Sequence, residues 1–306
     1  MKSGSLKIAL VYAMLCFIWG STWLAIRLGL ESLTPIFSAG LRFTLASVFV
    51  FVLMKIRGVR LQTDKVSVRL YLIMGFFSFV IPFGLVYWAE QFVPSGLASV
   101  LFAVFPFFVA IFSYFFISNT SIDRFKIVGI VLGFSGIVII FSDSFGGDIT
   151  DYLIGMIAII ISATMQAGIA VTMKKYGDHL NPLSMNFIPM AIAGIFMILF
   201  GVFLENISSN RYGVEAVLSI LYLAFFGSVL TFTSYYWLMK RLNVVILSLL
   251  AFITPVTALI LGFIVFNEEL SLRDFIGSAL VLLGVLGANL GNLIKIRKTS
   301  LIKSDG

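Results

Sequence analysis

Gln166 places an uncharged amide in the middle of an apolar run, Ser162-Ala163-Thr164-Met165-Gln166-Ala167-Gly168-Ile169. An amide has donors and acceptors to satisfy, and lipid partners neither. Such a group sits in a membrane segment when it meets a polar partner, water or a solute. Gln166 is therefore the leading substrate-contact candidate. Aromatic and hydroxyl side chains recur in other runs. Tyr12, Cys16, Trp19 and Trp23 share one helical stripe, Phe83, Tyr87 and Glu90 another, and Ser228, Thr231 and Tyr235 a third. Rings interleaved with hydroxyls suit a neutral or partly apolar solute. The competing reading is an interfacial aromatic belt, which fits Trp88 and Trp237 near run ends better than Trp19, well inside its run.

Arg42 is the charge in an unexpected place. Pro35 opens its run, which puts Arg42 about 10 Å below the membrane surface. An intramembrane arginine is paired or faces water. It could attract or gate an anionic group, or it could snorkel or pair structurally with Glu31 or Glu90 on the same side. No acid stands near the centre of any run, so no carboxylate proton relay is visible and the coupling ion stays open.

Catalytic chemistry finds little support. The chain has one cysteine, Cys16, and one histidine, His179, far apart in sequence, so neither a metal cluster nor a Cys/His nucleophile pair is expected. The expectation is a protein that is not an enzyme and needs no metal or cofactor.

The elements that hold these residues follow from composition. Of 306 residues, 60% are hydrophobic and only 11% charged, with a mean hydropathy of +1.09. A soluble chain of this size could not hide so much apolar surface. That excludes a soluble enzyme, a disordered chain and a nucleic-acid partner, and makes the bilayer the main solvent. Continuous apolar runs of about 20 residues are membrane helices. Ten are predicted: 8–28, 35–54, 70–90, 95–117, 125–142, 152–173, 182–204, 216–238, 244–266 and 275–294, called spans one to ten below. The first follows Lys2 and Lys7 and is too long for the apolar core of a signal peptide, so it is read as a retained span.

Charge tests the count. With the N-terminus in the cytoplasm, only Arg27, Arg42, Arg211 and Arg273 of the 21 Lys and Arg avoid the inner side. All of the 14 acids except Asp64, Asp123, Asp178 and Asp305 fall outside. This skew obeys the positive-inside rule and predicts a multi-pass protein of the inner membrane with both termini cytoplasmic.

The chain also repeats itself. At an offset of 149, Tyr87, Trp88, Ser99 and Pro106 match Tyr236, Trp237, Ser248 and Pro255. At 148, Gly129, Leu132 and Gly136 match Gly277, Leu280 and Gly284, and Pro35 and Pro182 open spans two and seven at 147. Two units result, residues 1–147 and 148–306. Five spans per unit make the second cross in the opposite sense, a transporter architecture with its site between the halves. Spans four and nine carry small residues on one face together with Ser99 or Ser248 and a proline. Pro106 and Pro255 crowd the carbonyls of Phe102 and Ala251 and are candidate hinges, although small residues also serve plain packing.

The chain resembles the drug/metabolite transporter superfamily, and within it the EamA family. Phe17-Ile18-Trp19-Gly20-Ser21-Thr22, Pro35 through Arg42-Phe43, the Pro106 and Pro255 segments, and Asn267-Glu268-Glu269-Leu270-Ser271-Leu272-Arg273 carry the resemblance, which covers essentially the whole chain as two copies. It implies an all-α polytopic membrane protein with ten helices in inverted halves around a central cavity, alternating access, and often export of amino acids or other small metabolites. One departure stands out: where the second copy has Asn267-Glu268, the first has Asn119-Thr120-Ser121. The expected activity is a permease, with a lipid-active protein (a scramblase or lipid-modifying enzyme) as the alternative. The residues expected to meet substrate are Trp19, Arg42, Tyr87, Ser99, Gln166, Thr231, Tyr235 and Ser248.

Overall fold

Proline starts two of the helices because the first turn has no use for its missing N–H. Span two runs Pro35–Ile56 and span seven Pro182–Leu204. Acceptors on side chains close other helix starts. Asp64 accepts from the Val66 and Ser67 amides at 3.1 and 3.0 Å, and Asn181 from the Leu183 amide at 2.9 Å. The computed structural model describes residues 3–117, 124–142, 151–239, 241–242 and 250–302. Among these, eight helices are long and apolar enough to cross a membrane. Two further helices, Leu250–Phe266 and Leu272–Ile302, occupy the last two predicted runs.

The helices depart from the predicted runs where the backbone changes pitch. Span three begins at Lys65 and ends at Ala89, with a π-helical segment at Gly75–Val80. Span eight, Val214–Met239, carries the same device at Phe225–Leu230. Span four is two helices, Ser95–Phe102 and Phe105–Phe116, parted just before Pro106. Spans one, five and six run Ser3–Leu30, Arg124–Ser142 and Asp151–Tyr176. Large apolar side chains such as Phe115, Phe203 and Leu204 lie exposed around the outside, the surface that a bilayer would cover.

Glycines set the tightest contacts. A Cβ on Gly136 would lie 2.5 Å from the Gly277 carbonyl oxygen, and one on Gly277 2.6 Å from that of Gly136, so spans five and ten touch backbone to backbone. Gly40 meets the Ile198 amide of span seven at 2.6 Å in the same sense.

The extensive pairings form a pattern that survives exchanging each span with the one five places on. Five pairs with ten, two with seven, and four with nine, each its own image. One packs on nine as six packs on four, three on six as eight on one, and three on seven as eight on two.

The two ends are distinct. At one, Lys7 and Arg241 both lie over the Trp237 ring, at 5.6 and 4.1 Å, while Gln62 donates to the His179 carbonyl at 2.7 Å and accepts from the Asn181 amide at 3.0 Å. Since helices alternate in direction, Lys65 and Arg241 share this basic end. At the other, the Arg211 amide donates to the Ser32 carbonyl at 2.9 Å and the Thr34 amide to Asn210 Oδ1 at 2.7 Å. Two carboxylates tie the halves there. Glu205 accepts from the Ile36 and Phe37 amides at the start of span two at 2.7 and 2.9 Å. Glu268 accepts from the Ser95 amide and hydroxyl and the Gly96 amide at the start of span four, at 2.9, 2.8 and 3.0 Å. Negative charge at these helix starts meets the positive ends of the helix dipoles.

Candidate functional site

The π-helical segments decide what faces the interior. In span three the Ile81 amide donates to the Phe76 carbonyl, and in span eight the Thr231 amide donates to the Phe226 carbonyl; both bonds skip one residue more than an α-helix allows. Each segment thereby turns a serine toward a polar partner in another span. Ser78 Oγ donates to Gln166 Oε1 at 2.6 Å. Ser228 Oγ accepts from Arg42 Nε at 3.0 Å and itself donates to the Leu223 carbonyl at 2.9 Å.

Arg42 is buried and held on every side by neutral groups. Its Nη1 donates to the Tyr87 hydroxyl at 3.2 Å and its Nη2 to the Gly227 carbonyl at 3.3 Å. The guanidinium also lies 5.1 Å from the Phe43 and Phe83 ring centres, a cation–π arrangement. A small cavity with room for about one water adjoins it, lined by Ser38, Arg42, Tyr87, Ser219 and apolar neighbours.

Aromatic rings connect Arg42 to span one. Phe43 meets Phe83 at 4.9 Å and Phe79 at 5.4 Å; Phe79 meets Phe232 at 5.6 Å; Phe232 meets Trp19 at 5.9 Å; and Trp19 meets Tyr235 at 5.3 Å. Trp19, Arg42, Tyr87 and Tyr235 thus belong to one connected interior cluster, contributed by spans one, two, three and eight. Gln166 stands half-buried on span six, tied to span three through Ser78.

The remaining expected residues sit differently. Ser99 is buried and donates to the Gly96 carbonyl at 2.6 Å, and Thr231 is buried and donates to the Gly227 carbonyl at 2.9 Å, so both hydroxyls are engaged within their own helices. The Gly227 carbonyl is shared with Arg42, which links Thr231 to the cluster at one remove. Ser248 lies outside the described residues. Pro106 stands at the break in span four, whereas Pro255 lies inside the helix Leu250–Phe266, which runs through it.

Ser78 was not singled out by the sequence reading. Its signal was a Phe-Phe pair just ahead of a serine, Phe76-Phe77-Ser78, echoed at Phe225-Phe226-Gly227-Ser228. Glu90 stands on the stripe of span three with Phe83 and Tyr87 and was also a possible partner for Arg42. It is completely buried, and neither carboxyl oxygen has a hydrogen-bond partner among the described residues. Arg27 Nη1 donates to the Glu90 backbone carbonyl rather than to the carboxyl group. No group of three or more His, Cys, Asp or Glu able to hold a metal occurs among the described residues.

Helices with lipid-facing exteriors, an exchange-symmetric interior and a buried polar cluster at the meeting of its spans define a polytopic, all-helical membrane protein of the transporter class. The model of the EamA-like transporter family matches residues 6–142 and again 153–290, and the chain belongs to that family. It is 30% identical over 284 residues to the uncharacterized inner membrane transporter YedA of Escherichia coli, covering 92% of this chain and 90% of that protein. It is 26% identical over 280 residues to the uncharacterized transporter YoaV of Bacillus subtilis, covering 91% and 95%. Protein PagO of Salmonella typhimurium is 27% identical over 270 residues, covering 88% of each. A crystal structure at 20% identity superposes with a TM-score of 0.69 over 93% of this chain and 98% of the other, a likeness of fold.

Proposed function

We propose that the protein is a permease for small organic solutes, exporting amino acids or related neutral metabolites from the cytoplasm by alternating access between two inverted repeats, residues 1–147 and 148–306. The observation that carries the reading is the exchange symmetry of the helix pairings. Two arrangements of matched halves, related by swapping their roles, have similar packing, and that is what a device open first to one side and then to the other requires. The skew of basic residues supports an orientation with the basic end and both termini in the cytoplasm and the protein in the inner membrane.

Trp19, Tyr235 and Gln166 form the solute-contacting surface in this reading, with Arg42 and Tyr87 closing one end of it. Stacking rings and one amide suit a neutral solute with an apolar part. Proteoliposomes loaded with a mixture of labelled amino acids should lose some of them faster than empty-vesicle controls. An aromatic contact is worth about 0.5–1.5 kcal/mol, so Trp19→Ala and Tyr235→Ala should each slow that efflux several-fold while the protein stays monodisperse. Gln166→Ala should do the same. Unchanged efflux in all three variants would reject this surface, and headgroup turnover or lipid scrambling by the wild type without solute flux would reject the permease.

A further inference from the structure

Glu90 caps the end of span three, has no exposed surface, and aims a carboxyl group with two unpartnered oxygens into the described interior. The nearby guanidinium groups are engaged elsewhere. Arg27 reaches the Glu90 main-chain carbonyl, and all three arms of Arg42 end on Ser228, Tyr87 and Gly227. The charged and titratable groups acting on the carboxyl are Arg27 from span one, Arg42 from span two, Tyr87 from its own span, and Glu268 from the link after span nine. Span six meets this corner with Gly155, against Val93 and the Ala89 carbonyl, and its Asp151 is exposed.

A carboxylate with neither water nor donors is strongly disfavoured, and the neutral acid far less so. A second carboxylate nearby, that of Glu268, disfavours charge on Glu90 as well. Glu268 uses both its oxygens on the start of span four. We propose that Glu90 is a proton-binding site that gates the acidic end of the protein: it carries a proton while that end is closed, as here, and loses it when the end opens and water enters. On closing, one carboxylate oxygen takes a proton from water at that face, forming one O–H bond; on opening, the proton returns to water. The proposal rests on the alternating-access reading and names the ion that would bias it.

The test uses labelling of a cysteine, which needs no substrate. In a Cys16→Ala background, Ser38→Cys puts the one thiol in the closed cavity beside Arg42 and Tyr87. Maleimide labelling in nanodiscs is followed from pH 5 to 9 with Glu90 present and with Glu90→Gln. Dividing one rate by the other at each pH removes the chemistry of the thiol itself. The ratio should climb about tenfold per pH unit across the titration of a single proton; a ratio flat with pH overturns the proposal. Should Glu90→Gln not fold, the infrared C=O band of a protonated carboxyl supplies the second measurement. It should be present at pH 6 and vanish at alkaline pH, and its absence at pH 6 overturns the proposal. Either failure removes the gate and leaves the solute-flux test untouched.

Discussion

Arg42 shows how a single side chain organises a membrane interior. Its planar fork reaches a serine, a tyrosine and a backbone carbonyl in three directions, which a lysine ammonium on a flexible stem cannot reproduce. Arg42→Lys should therefore leave at least one buried acceptor unpaired, at a cost of about 1–3 kcal/mol, read as a lowered midpoint of thermal unfolding in detergent. Ser228→Ala should cost less, about 1 kcal/mol, because Arg42 keeps its other two acceptors. Asp64, at the exposed start of span three, makes a different prediction. The Ser67 hydroxyl first, then the Ser67 and Val66 amides, hold its carboxyl below the usual carboxylate range. A depressed folded-state value means that this contribution to stability is present at neutral pH and lost as pH falls through that value. Asp64→Asn keeps the cap as an acceptor without the titration, so the acid limb of a stability-against-pH curve should flatten. Arg42 was legible in the sequence because a charge seven residues into an apolar run has few explanations. Two of its three acceptors were not, since Ser228 and Gly227 come from a span some 185 residues later whose register depends on the π-helical turn.

That register separates what pattern reveals from what it hides. One extra residue in a helical turn rotates everything after it by about 100°, and in a soluble protein the hydrophobic stripe would betray the shift. Spans three and eight are mostly apolar, so the pattern fixes their phase weakly: Ser228 was legible on a stripe with Thr231 and Tyr235, whereas Ser78 was not. Proline was similarly ambiguous. Matched positions in the two copies predicted matched kinks, yet the helix breaks before Pro106 and continues through Pro255. Thr254 donates its hydroxyl to the Leu250 carbonyl at 3.0 Å in that helix, a local bond within its own turn that leaves the Ala251 carbonyl, the one Pro255 cannot reach, unaddressed. Glycine spacing, in contrast, was read from the sequence and corresponds to the backbone contact of spans five and ten. Gly277→Val should push those helices apart, since even a Cβ would meet the Gly136 carbonyl oxygen at 2.6 Å. Overpacking of this kind costs about 1–3 kcal/mol, and the unfolding midpoint should fall accordingly, whereas Gly58→Ala, with open space around its missing Cβ but a φ of 64°, should cost less.

Across the molecule, near-symmetry makes its exceptions informative. Exchanging the halves preserves the major pairings, yet the carboxylate that locks span four, Glu268, has Asn-Thr-Ser in the corresponding stretch of the first copy. In the alternating-access reading, two states of a perfectly matched pair would be equal in energy, so an unmatched tie at one end would set which state the empty protein prefers. Glu268 joins the link after span nine to the start of span four through three bonds, which in that reading would favour closure of the acidic end. A hydrogen bond to a charged group contributes about 1.5–3 kcal/mol, and about 1.4 kcal/mol is already a tenfold change in a two-state population. Glu268→Ala should then raise maleimide labelling of a cysteine at position 38 about tenfold at pH 6, where the proposed gate would keep that end shut. Removing Glu205, which caps span two at the same end with two bonds, tests the assignment to Glu268. Span two and its partner seven form a pair that maps onto itself, so Glu205→Ala should lower thermal stability while leaving the labelling rate within about twofold of its starting value. A labelling increase equal to that of Glu268→Ala would show that any loosening of the acidic end opens it, and that the asymmetry does not choose the state.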